Sequence, residues 1–262
     1  MNKVFTLNIK DYFQEEKVKI ANLIKTANKV PKLAVIQVGD NPASNKYITN
    51  KKKDCEEVGI KFEWYHFPED ITTDELIFNI DDIQKEIDAI IVQMPVPKHI
   101  DVKAVELAID PNKDVDGFHP MTRFKPCTPL GIVNYLKACN YDFVGKDIAV
   151  IGRSDIVGKP MARMLTDLDA TVTLCHSKTK DIYKVINQSN LAIVAIGKIA
   201  IDGNLIFNTP IVDVGINFDE NGKMCGDCYN MEYNEVTPVP GGVGLLTRLA
   251  MLHNIIEAAG IF

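Results

Sequence analysis

Short apolar runs alternate along the chain with stretches in which apolar residues recur every three or four positions. In the first part, the apolar runs predict strands at 33–38, 60–65 and 89–92. The stretches around them predict helices at about 11–28, 45–58, 73–87 and 101–109. Strands and helices that alternate in this way are typical of a parallel sheet with helices on its faces.

A second set of the same kind begins after residues 114–117, where proline and glycine cluster. Its apolar runs predict strands at 148–151, 171–174, 191–194 and 211–213. Helices are expected near 129–139, 158–168, 179–188 and 245–259. The pattern is that of an α/β protein, and we expect two α/β domains with a cleft between them.

Composition and charge narrow the class of protein. The chain has 262 residues, of which 46% are hydrophobic and 24% charged, so a disordered or low-complexity chain is excluded. The formal net charge of −6 disfavours binding to nucleic acid or to an anionic membrane surface. No apolar run approaches the roughly 20 residues that span a bilayer, and residues 1–10 lack the layout of a secretion signal. We therefore expect a cytoplasmic protein.

Six cysteines include one Cys-x-x-Cys pair, Cys225 and Cys228. Such a pair suits a redox site or one half of a zinc site. A zinc site needs two further ligands at a recognisable spacing, and none follows in the sequence. A redox pair of the thioredoxin kind opens a helix, whereas this pair lies in a stretch rich in Gly, Asn and Asp. We interpret the spacing as coincidental and expect no metal site.

The second set of elements contains a candidate phosphate loop. The strand at 148–151 runs into Gly-Arg-Ser-Asp-Ile-Val-Gly at 152–158 and then into a predicted helix. Glycines at this place let the backbone approach a pyrophosphate, and the amides of the helix N-terminus face it. The spacing differs from Gly-x-Gly-x-x-Gly, and strand–glycine–helix turns are common. The loop alone is therefore compatible with a dinucleotide site or with an ordinary turn.

The end of the next strand bears on the choice of nucleotide. An NAD site usually offers Asp or Glu there, whereas this chain has Cys-His-Ser-Lys at 175–178. Arg153 in the first loop adds a positive charge that suits a 2′-phosphate, so the sequence favours NADP and leaves NAD as the alternative. The alternative explanations are a surface charge for Arg153 and a cap of the next helix for Ser177.

Four polar residues of the first set suit a site better than a core. Tyr47 and Lys51 lie four positions apart, on one face of a predicted helix. Gln93 ends a strand of Ile and Val, and strand carboxyl ends face the ligand crevice of open α/β sheets. Asp116 lies at the predicted domain junction. Three of the four also have a plain explanation. Lys51 begins the run 51–53, which is typical of a solvated face, Tyr47 suits a half-buried core, and Asp116 suits a turn, as does the nearby Asp114.

Longer motifs follow one another in order from about residue 33 to the C-terminus. They are Asn-Pro-Ala-Ser at 41–44, Tyr47-x-x-x-Lys51, Val-Gln-Met-Pro-Val-Pro at 92–97, Lys-Asp-Val-Asp-Gly-Phe-His at 113–119, Pro-Cys-Thr-Pro at 126–129, Gly-Arg-Ser-x-x-Val-Gly-x-Pro at 152–160, Ala-Thr-Val-Thr-x-Cys-His-Ser at 170–177, Asp-Val-Gly-Ile-Asn at 213–217 and Thr-Pro-Val-Pro-Gly-Gly-Val-Gly at 237–244. Together they resemble the bifunctional methylenetetrahydrofolate dehydrogenase/methenyltetrahydrofolate cyclohydrolase (FolD) family. The resemblance implies an N-terminal α/β substrate domain and a C-terminal Rossmann-like dinucleotide-binding domain.

The resemblance also implies a reaction, the oxidation of 5,10-methylenetetrahydrofolate with NADP followed by hydrolysis of the methenyl product to 10-formyltetrahydrofolate. In the family, the residue that matches Lys51 is the key group for hydrolysis and is held by those that match Tyr47 and Gln93. The residue that matches Asp116 binds the pterin. The chemistry agrees, because a lysine in a cleft beside a cationic methenyl group is pushed toward its neutral form and can then accept a proton.

Further site residues and a domain division follow from the same resemblance. The folate site would include Pro240 and Gly241. The cofactor site would include Gly152, Arg153, Ser154, Ser177, Ile216, Gly244 and Thr247. Residues 1–117 with 246–262 would form the catalytic domain and residues 118–245 the NADP-binding domain, in a chain that acts as a homodimer.

Two departures from the family pattern bear on activity. The segment between His119 and Pro126 is shorter than in most members, which suggests a more open cleft or changed kinetics. Leu245-Leu246 stands where the family usually has Pro-Met, which suggests a shifted helix start. Neither departure removes the four candidate catalytic residues. The alternatives are a dehydrogenase of the same family that lacks the second activity or uses NAD, a dinucleotide-binding protein without catalysis, and an unrelated two-domain dehydrogenase that acts on a small acid.

Overall fold

The computed structural model describes residues 3–261 and divides into two units. Unit 1 contains the residues up to Phe13 together with Thr128–Thr247, and unit 2 contains Gln14–Cys127 and the residues from Arg248 onward. The helices α1 (Ile9–Thr26) and α8 (Val243–Ala258) each contribute residues to both units. The predicted division into a catalytic and a cofactor-binding domain, at 117/118 and 245/246, concerns function and stays a prediction.

Unit 2 is built on a three-stranded parallel sheet with the strand order β2-β1-β3. Its strands are β1 (Lys32–Val38), β2 (Lys61–Phe67) and β3 (Ala89–Val92). Its helices are α2 (Pro42–Val58), α3 (Thr73–Ile83) and α4 (Val102–Ala108). The strands β1 and β3 are buried almost throughout, as their continuous apolar runs predict for strands that are covered on both faces.

After β3 and α4, the chain of unit 2 returns to its sheet. Ile90 of β3 forms a parallel bridge with Asp114, and the Ile90 amide donates to the carbonyl of Lys113 at 2.8 Å. The residues that follow Asp114 therefore run alongside the carboxyl end of β3.

Unit 1 is built on a four-stranded parallel sheet with the strand order β5-β4-β6-β8. Its strands are β4 (Asp147–Ile151), β5 (Thr171–Cys175), β6 (Leu191–Val194) and β8 (Ile211–Asp213). Its helices are α5 (Cys127–Ala138, whose first residue belongs to unit 2), α6 (Gly158–Thr166) and α7 (Ile182–Asn187). Four two-residue strands form two further pairs, β7 (Ile201–Asp202) with β11 (Cys228–Tyr229) and β9 (Asn217–Phe218) with β10 (Met224–Cys225).

The two parallel sheets confirm the α/β prediction. Every predicted strand and helix is present, with ends that differ by at most four residues. Helix α7 begins at Ile182 rather than near 179, because the Asp181 side chain accepts the amide of Lys184 at 3.0 Å and caps the helix. The explanation of Ser177 as that cap is therefore wrong. Within residues 3–261, no helix is long and apolar enough to cross a membrane.

Candidate active site

In each unit, the strand order reverses beside one strand. In unit 2, β2 and β3 lie on opposite sides of β1, and in unit 1, β5 and β6 lie on opposite sides of β4. Ligands of open α/β sheets bind outside the strand carboxyl ends at such points. The carboxyl ends of β1 and β3, and those of β4 and β6, are therefore the places to look for functional side chains.

At the carboxyl end of β3, Gln93 contacts Lys51 of α2. Lys51 Nζ donates to Gln93 Oε1 at 3.2 Å, and Gln93 Nε2 donates to the carbonyl of Met94 at 2.8 Å. The second bond fixes which amide atom faces the lysine. Lys51 is only 7% exposed, whereas the side chains of Lys52 and Lys53 are 48% and 74% exposed. The explanation of Lys51 as part of a solvated face is therefore wrong.

Tyr47 and Asp116 lie near the hydrogen-bonded pair of Lys51 and Gln93. Burial raises the pKa of the Tyr47 phenol, the positive charge of Arg248 lowers it, and the negative charge of Asp116 raises it. The Cys127 thiol donates to Asp116 Oδ1 at 3.8 Å. Burial raises the pKa of this thiol, Asp116 raises it further, and Lys51 lowers it. The structure thus brings the four sequence-predicted residues of unit 2 into one cluster.

Of the two aspartates considered as turn formers, Asp114 has that role. It is 2% exposed, and its carboxylate accepts the amides of Gly117 at 3.3 Å and of His119 at 2.7 Å. Burial raises the pKa of the Asp114 carboxyl, and these hydrogen bonds oppose the rise. Asp116 keeps a partly exposed side chain on this turn. The short segment after His119 is anchored by Phe124, which is buried.

In unit 1, the loop after β4 contains glycines that leave no room for a side chain. Gly152 has a φ of 121°, and a Cβ there would overlap the carbonyl of Ala195, just after β6. A Cβ at Gly158, the first residue of α6, would overlap the carbonyl of Gly152. Ser154 Oγ accepts the amides of Val157 at 3.2 Å and of Gly158 at 3.3 Å, and so shapes the loop. A loop packed in this way, before a helix N-terminus, fits the pyrophosphate of a dinucleotide.

The other predicted cofactor residues of unit 1 differ in their surroundings. Arg153 lies in the same loop, and Ser177 follows β5; both are exposed. Ile216 follows β8 and is 46% exposed. Gly244 and Thr247 are partly exposed and lie in the first turns of α8, which begins at Val243, two residues before its predicted start.

The two remaining folate candidates, Pro240 and Gly241, form the turn before α8. The Val239–Pro240 peptide bond is cis, and Gly241 has a φ of 93°. A Cβ on Gly241 would lie 2.9 Å from Cε of Lys10. Both residues line a cavity of about 680 Å³ in unit 1. Both residues of the turn thus face open space.

Sequence analysis missed two buried aspartates in unit 1. Asp227 Oδ2 accepts the amides of Ile196 at 2.6 Å and Gly197 at 2.9 Å. Asp213 accepts the amides of Asp227 at 2.9 Å and Cys228 at 3.0 Å. Burial raises the pKa of the Asp213 carboxyl, although these bonds oppose the rise. Asp227 thus holds the loop after β6, and Asp213, at the end of β8, holds Asp227 and the start of β11.

Cys225 and Cys228 lie on the short strands β10 and β11. Burial raises the pKa of the Cys228 thiol, and the nearby Asp213 carboxylate raises it further. A thiolate, which redox chemistry and metal binding both need, is therefore disfavoured at Cys228.

Comparisons with known proteins cover nearly the whole chain. The family model for the tetrahydrofolate dehydrogenase/cyclohydrolase catalytic domain matches residues 7–116, and the model for the NAD(P)-binding domain of the same family matches residues 126–261. The bifunctional protein FolD of Bacillus cytotoxicus is 43% identical over 266 residues, which cover 94% of this chain and 91% of that protein.

Two solved structures extend the comparison. The bifunctional enzyme FolD, a methylenetetrahydrofolate dehydrogenase/cyclohydrolase from Campylobacter jejuni, has a TM-score of 0.92 at 40% identity and covers 97% of both chains. The Trypanosoma brucei methylenetetrahydrofolate dehydrogenase-cyclohydrolase, complexed with NADP cofactor and inhibitor, has a TM-score of 0.87 at 28% identity and covers 98% of both chains. The chain therefore belongs to the tetrahydrofolate dehydrogenase/cyclohydrolase family, with a catalytic domain followed by an NAD(P)-binding domain.

Proposed function

We propose that the chain oxidises 5,10-methylenetetrahydrofolate with NADP and then hydrolyses the resulting 5,10-methenyltetrahydrofolate to 10-formyltetrahydrofolate. The observation that carries the proposal is the partly buried hydrogen bond between Lys51 and Gln93, near Tyr47 and Asp116. The relatives from Bacillus cytotoxicus and Campylobacter jejuni are both named as bifunctional. This makes the monofunctional dehydrogenase and the non-catalytic binding protein the weaker alternatives.

Folate binding is assigned first to Asp116 and Tyr47. A partly exposed carboxylate accepts hydrogen bonds from the amino and ring N–H groups of a pterin. The turn built by Asp114 holds Asp116 in place for that contact. Tyr47 offers an aromatic face and a phenol on the same helix as Lys51. By the family resemblance, Pro240 and Gly241 also contact the substrate.

NADP, when bound, supplies the hydride acceptor for the first step. The chain's own contribution is to hold it. Gly152 and Gly158 let the backbone and the N-terminus of α6 approach the pyrophosphate, and the exposed Arg153 suits the 2′-phosphate. The remaining cofactor contacts are assigned to Ser154, Ser177, Ile216, Gly244 and Thr247.

Lys51 is assigned as the proton acceptor in the hydrolysis step. The Lys51 amine accepts a proton from water as the water oxygen bonds to the carbon of the one-carbon bridge and the π electrons of its C=N bond move to nitrogen, as general-base catalysis requires. The bond from this carbon to N5 then breaks as the ammonium returns the proton to N5, the hydroxyl proton leaves to solvent, and the formyl group stays on N10. Gln93 directs its carbonyl oxygen at Lys51, because its own N–H is bonded to Met94. The lysine is thereby held in one position.

A spectrophotometric assay tests both steps. The chain is mixed with 5,10-methylenetetrahydrofolate and either NADP or NAD, and the reduced cofactor and the methenyl species are followed separately. We expect reduced NADP with only transient methenyl, which decays faster than in its spontaneous hydrolysis. Methenyl that accumulates would leave a dehydrogenase alone, and no reduction with either cofactor would contradict the proposal.

We further propose, on the family resemblance, that the chain works as a cytoplasmic homodimer. Sedimentation equilibrium would then give twice the mass of the chain. A single species at the mass of one chain would contradict it.

A further inference from the structure

A buried carboxylate of unit 1 lies between two loops and has no part in the chemistry proposed above. Asp227 is 0% exposed. Its Oδ2 accepts the amides of Ile196 at 2.6 Å and of Gly197 at 2.9 Å, and its Oδ1 accepts Nδ2 of Asn217 at 2.9 Å. One side chain therefore connects residues 195–197, the β6 loop, with residues 214–217, the β8 segment.

The β8 segment packs directly on this carboxylate. The amide of Gly215 donates to Oδ1 of Asp213 at 3.0 Å, and a Cβ on Gly215 would overlap Oδ1 of Asp227. Ile216, a proposed cofactor contact, follows Gly215 and precedes Asn217 and is 46% exposed. The residues on both sides of Ile216 are thus held by buried carboxylates, while its own side chain stays exposed.

The β6 loop borders the proposed dinucleotide loop. The amide of Ala195 donates to the carbonyl of Ile151 at 2.8 Å, and a Cβ on Gly152 would overlap the Ala195 carbonyl. Ile196 and Gly197 follow at once, and Gly197 is exposed. They therefore lie where the crevice between the carboxyl ends of β4 and β6 is expected to open.

The strand order indicates which half of a dinucleotide lies over these residues. In α/β dinucleotide sites, the first loop faces the pyrophosphate, and the end of the next strand faces the adenosine ribose. These are the loop after β4 and the end of β5, and β6 and β8 lie on the opposite side of β4. The nicotinamide half of NADP would therefore extend over the β6 loop and the β8 segment.

We propose that Asp227 is a positioning residue for the nicotinamide half of NADP. The inference rests on the proposed use of NADP. Asp227 is fully buried, so it touches neither the cofactor nor the reacting atoms. It acts by holding the β6 loop and the β8 segment in one relative position, on which the placement of the ring for hydride transfer depends.

The substitution Asp227→Asn tests this role with almost no change in volume. The carboxylate accepts hydrogen bonds on both oxygens, whereas an amide offers one oxygen and one NH₂ group. That NH₂ group must face either the amides of Ile196 and Gly197 or Nδ2 of Asn217, all of which are donors. The variant therefore releases one of the two connections.

Two ligands show which half of the cofactor is affected, since adenosine 2′,5′-bisphosphate has the adenosine and 2′-phosphate of NADP but no nicotinamide. In calorimetric titrations, we expect Asp227→Asn to raise the Kd for NADP about tenfold and to leave the Kd for the bisphosphate close to that of the wild type. The kcat for hydride transfer should also fall by about tenfold or more, because a misplaced reactant costs rate.

Asp202→Asn is the matched control. Asp202 Oδ1 also accepts a backbone amide, that of Asn204 at 3.1 Å, and an asparagine Nδ2, that of Asn230 at 3.0 Å. None of these residues belongs to the β6 loop or the β8 segment, so both Kd values and kcat should stay those of the wild type. If Asp227→Asn does not fold, Asn217→Ala removes one connection and keeps the carboxylate, and should weaken NADP binding in the same selective way.

The inference is overturned if NADP and the bisphosphate lose affinity equally, or if neither does and kcat is unchanged. The titrations contain no folate, so they test Asp227 independently of the reaction. A wild-type chain that binds NADP but oxidises no methylenetetrahydrofolate would refute the proposed function and leave the inference about Asp227 to the two Kd values.

Discussion

The two candidate sites are built from different parts of the chain. In unit 2, side chains form the site, since the buried Lys51 donates from Nζ to Oε1 of the partly exposed Gln93. In unit 1, the backbone forms the loop, since a Cβ at Gly152 or Gly158 would overlap a carbonyl oxygen, while the charged Arg153 is exposed. The chemistry of the first site depends on the side chains that are present, and the shape of the second depends on positions that have no side chain.

Replacing Lys51 with Met should give the largest effect and should separate the two activities. We expect methenyl hydrolysis to fall by about a thousandfold, the range of general-base catalysis, while hydride transfer to NADP stays measurable. Lys53→Met is the control, because the Lys53 side chain is 74% exposed on the same helix. Equal rates of hydrolysis in the wild type and Lys51→Met would remove Lys51 from the mechanism.

The substitution Gly152→Ala tests the backbone-built loop. The new Cβ would overlap the carbonyl of Ala195 and would hold φ in a strained region. We expect the free energy of unfolding of unit 1 to fall by about 3 kcal/mol, together with loss of NADP binding, as followed by denaturation and by cofactor fluorescence. Gly145→Ala isolates the overlap, because Gly145 also has a positive φ, 67°, but a Cβ there meets nothing within 4 Å. Equal losses in the two variants would mean that φ strain alone matters.

The smallest effect should come from Arg153→Ala, which leaves the backbone of the loop intact. We expect the Kd for NADP to rise by about 10- to 100-fold, the value of one charge-assisted contact to the 2′-phosphate, and the Kd for NAD to change little. Arg163→Ala provides an exposed arginine of α6 as control. A parallel loss of both nucleotides would place Arg153 away from the 2′-phosphate.

Most of the fold and part of the site could be predicted from local patterns. Continuous apolar runs predict β1, β3 and β6, because strands covered on both faces need them. Gln93 stands out as an amide at the end of such a strand. The short strands β7, β9, β10 and β11 could not be predicted. Each has two residues, which are too few to show a pattern of apolar and polar positions.

The ion pairs of the buried Asp54, a residue of α2, could not be predicted, because its partners are distant in sequence. Asp54 follows three lysines and precedes two glutamates, a composition typical of a solvated face. Only the packing of α2 against distant residues shows that Asp54 meets Arg248 and Lys17. The sequence also leaves open whether Lys51 is a site residue or a surface lysine, for the same reason. Neighbours in one charged run differ in burial according to the helix face on which they lie.

The two buried aspartates of unit 1 also affect how that unit exchanges its amide hydrogens. The amides of Ile196 and Gly197 bond Asp227, and those of Asp227 and Cys228 bond Asp213, although the two groups lie about thirty residues apart. Loop amides ordinarily exchange through small local fluctuations. Here, each carboxylate accepts several amides, so these amides become available for exchange together when that carboxylate moves away. These four amides, three of which lie outside any strand or helix, should therefore exchange with deuterium as one cooperative block, at a rate closer to that of the sheet than to that of a loop.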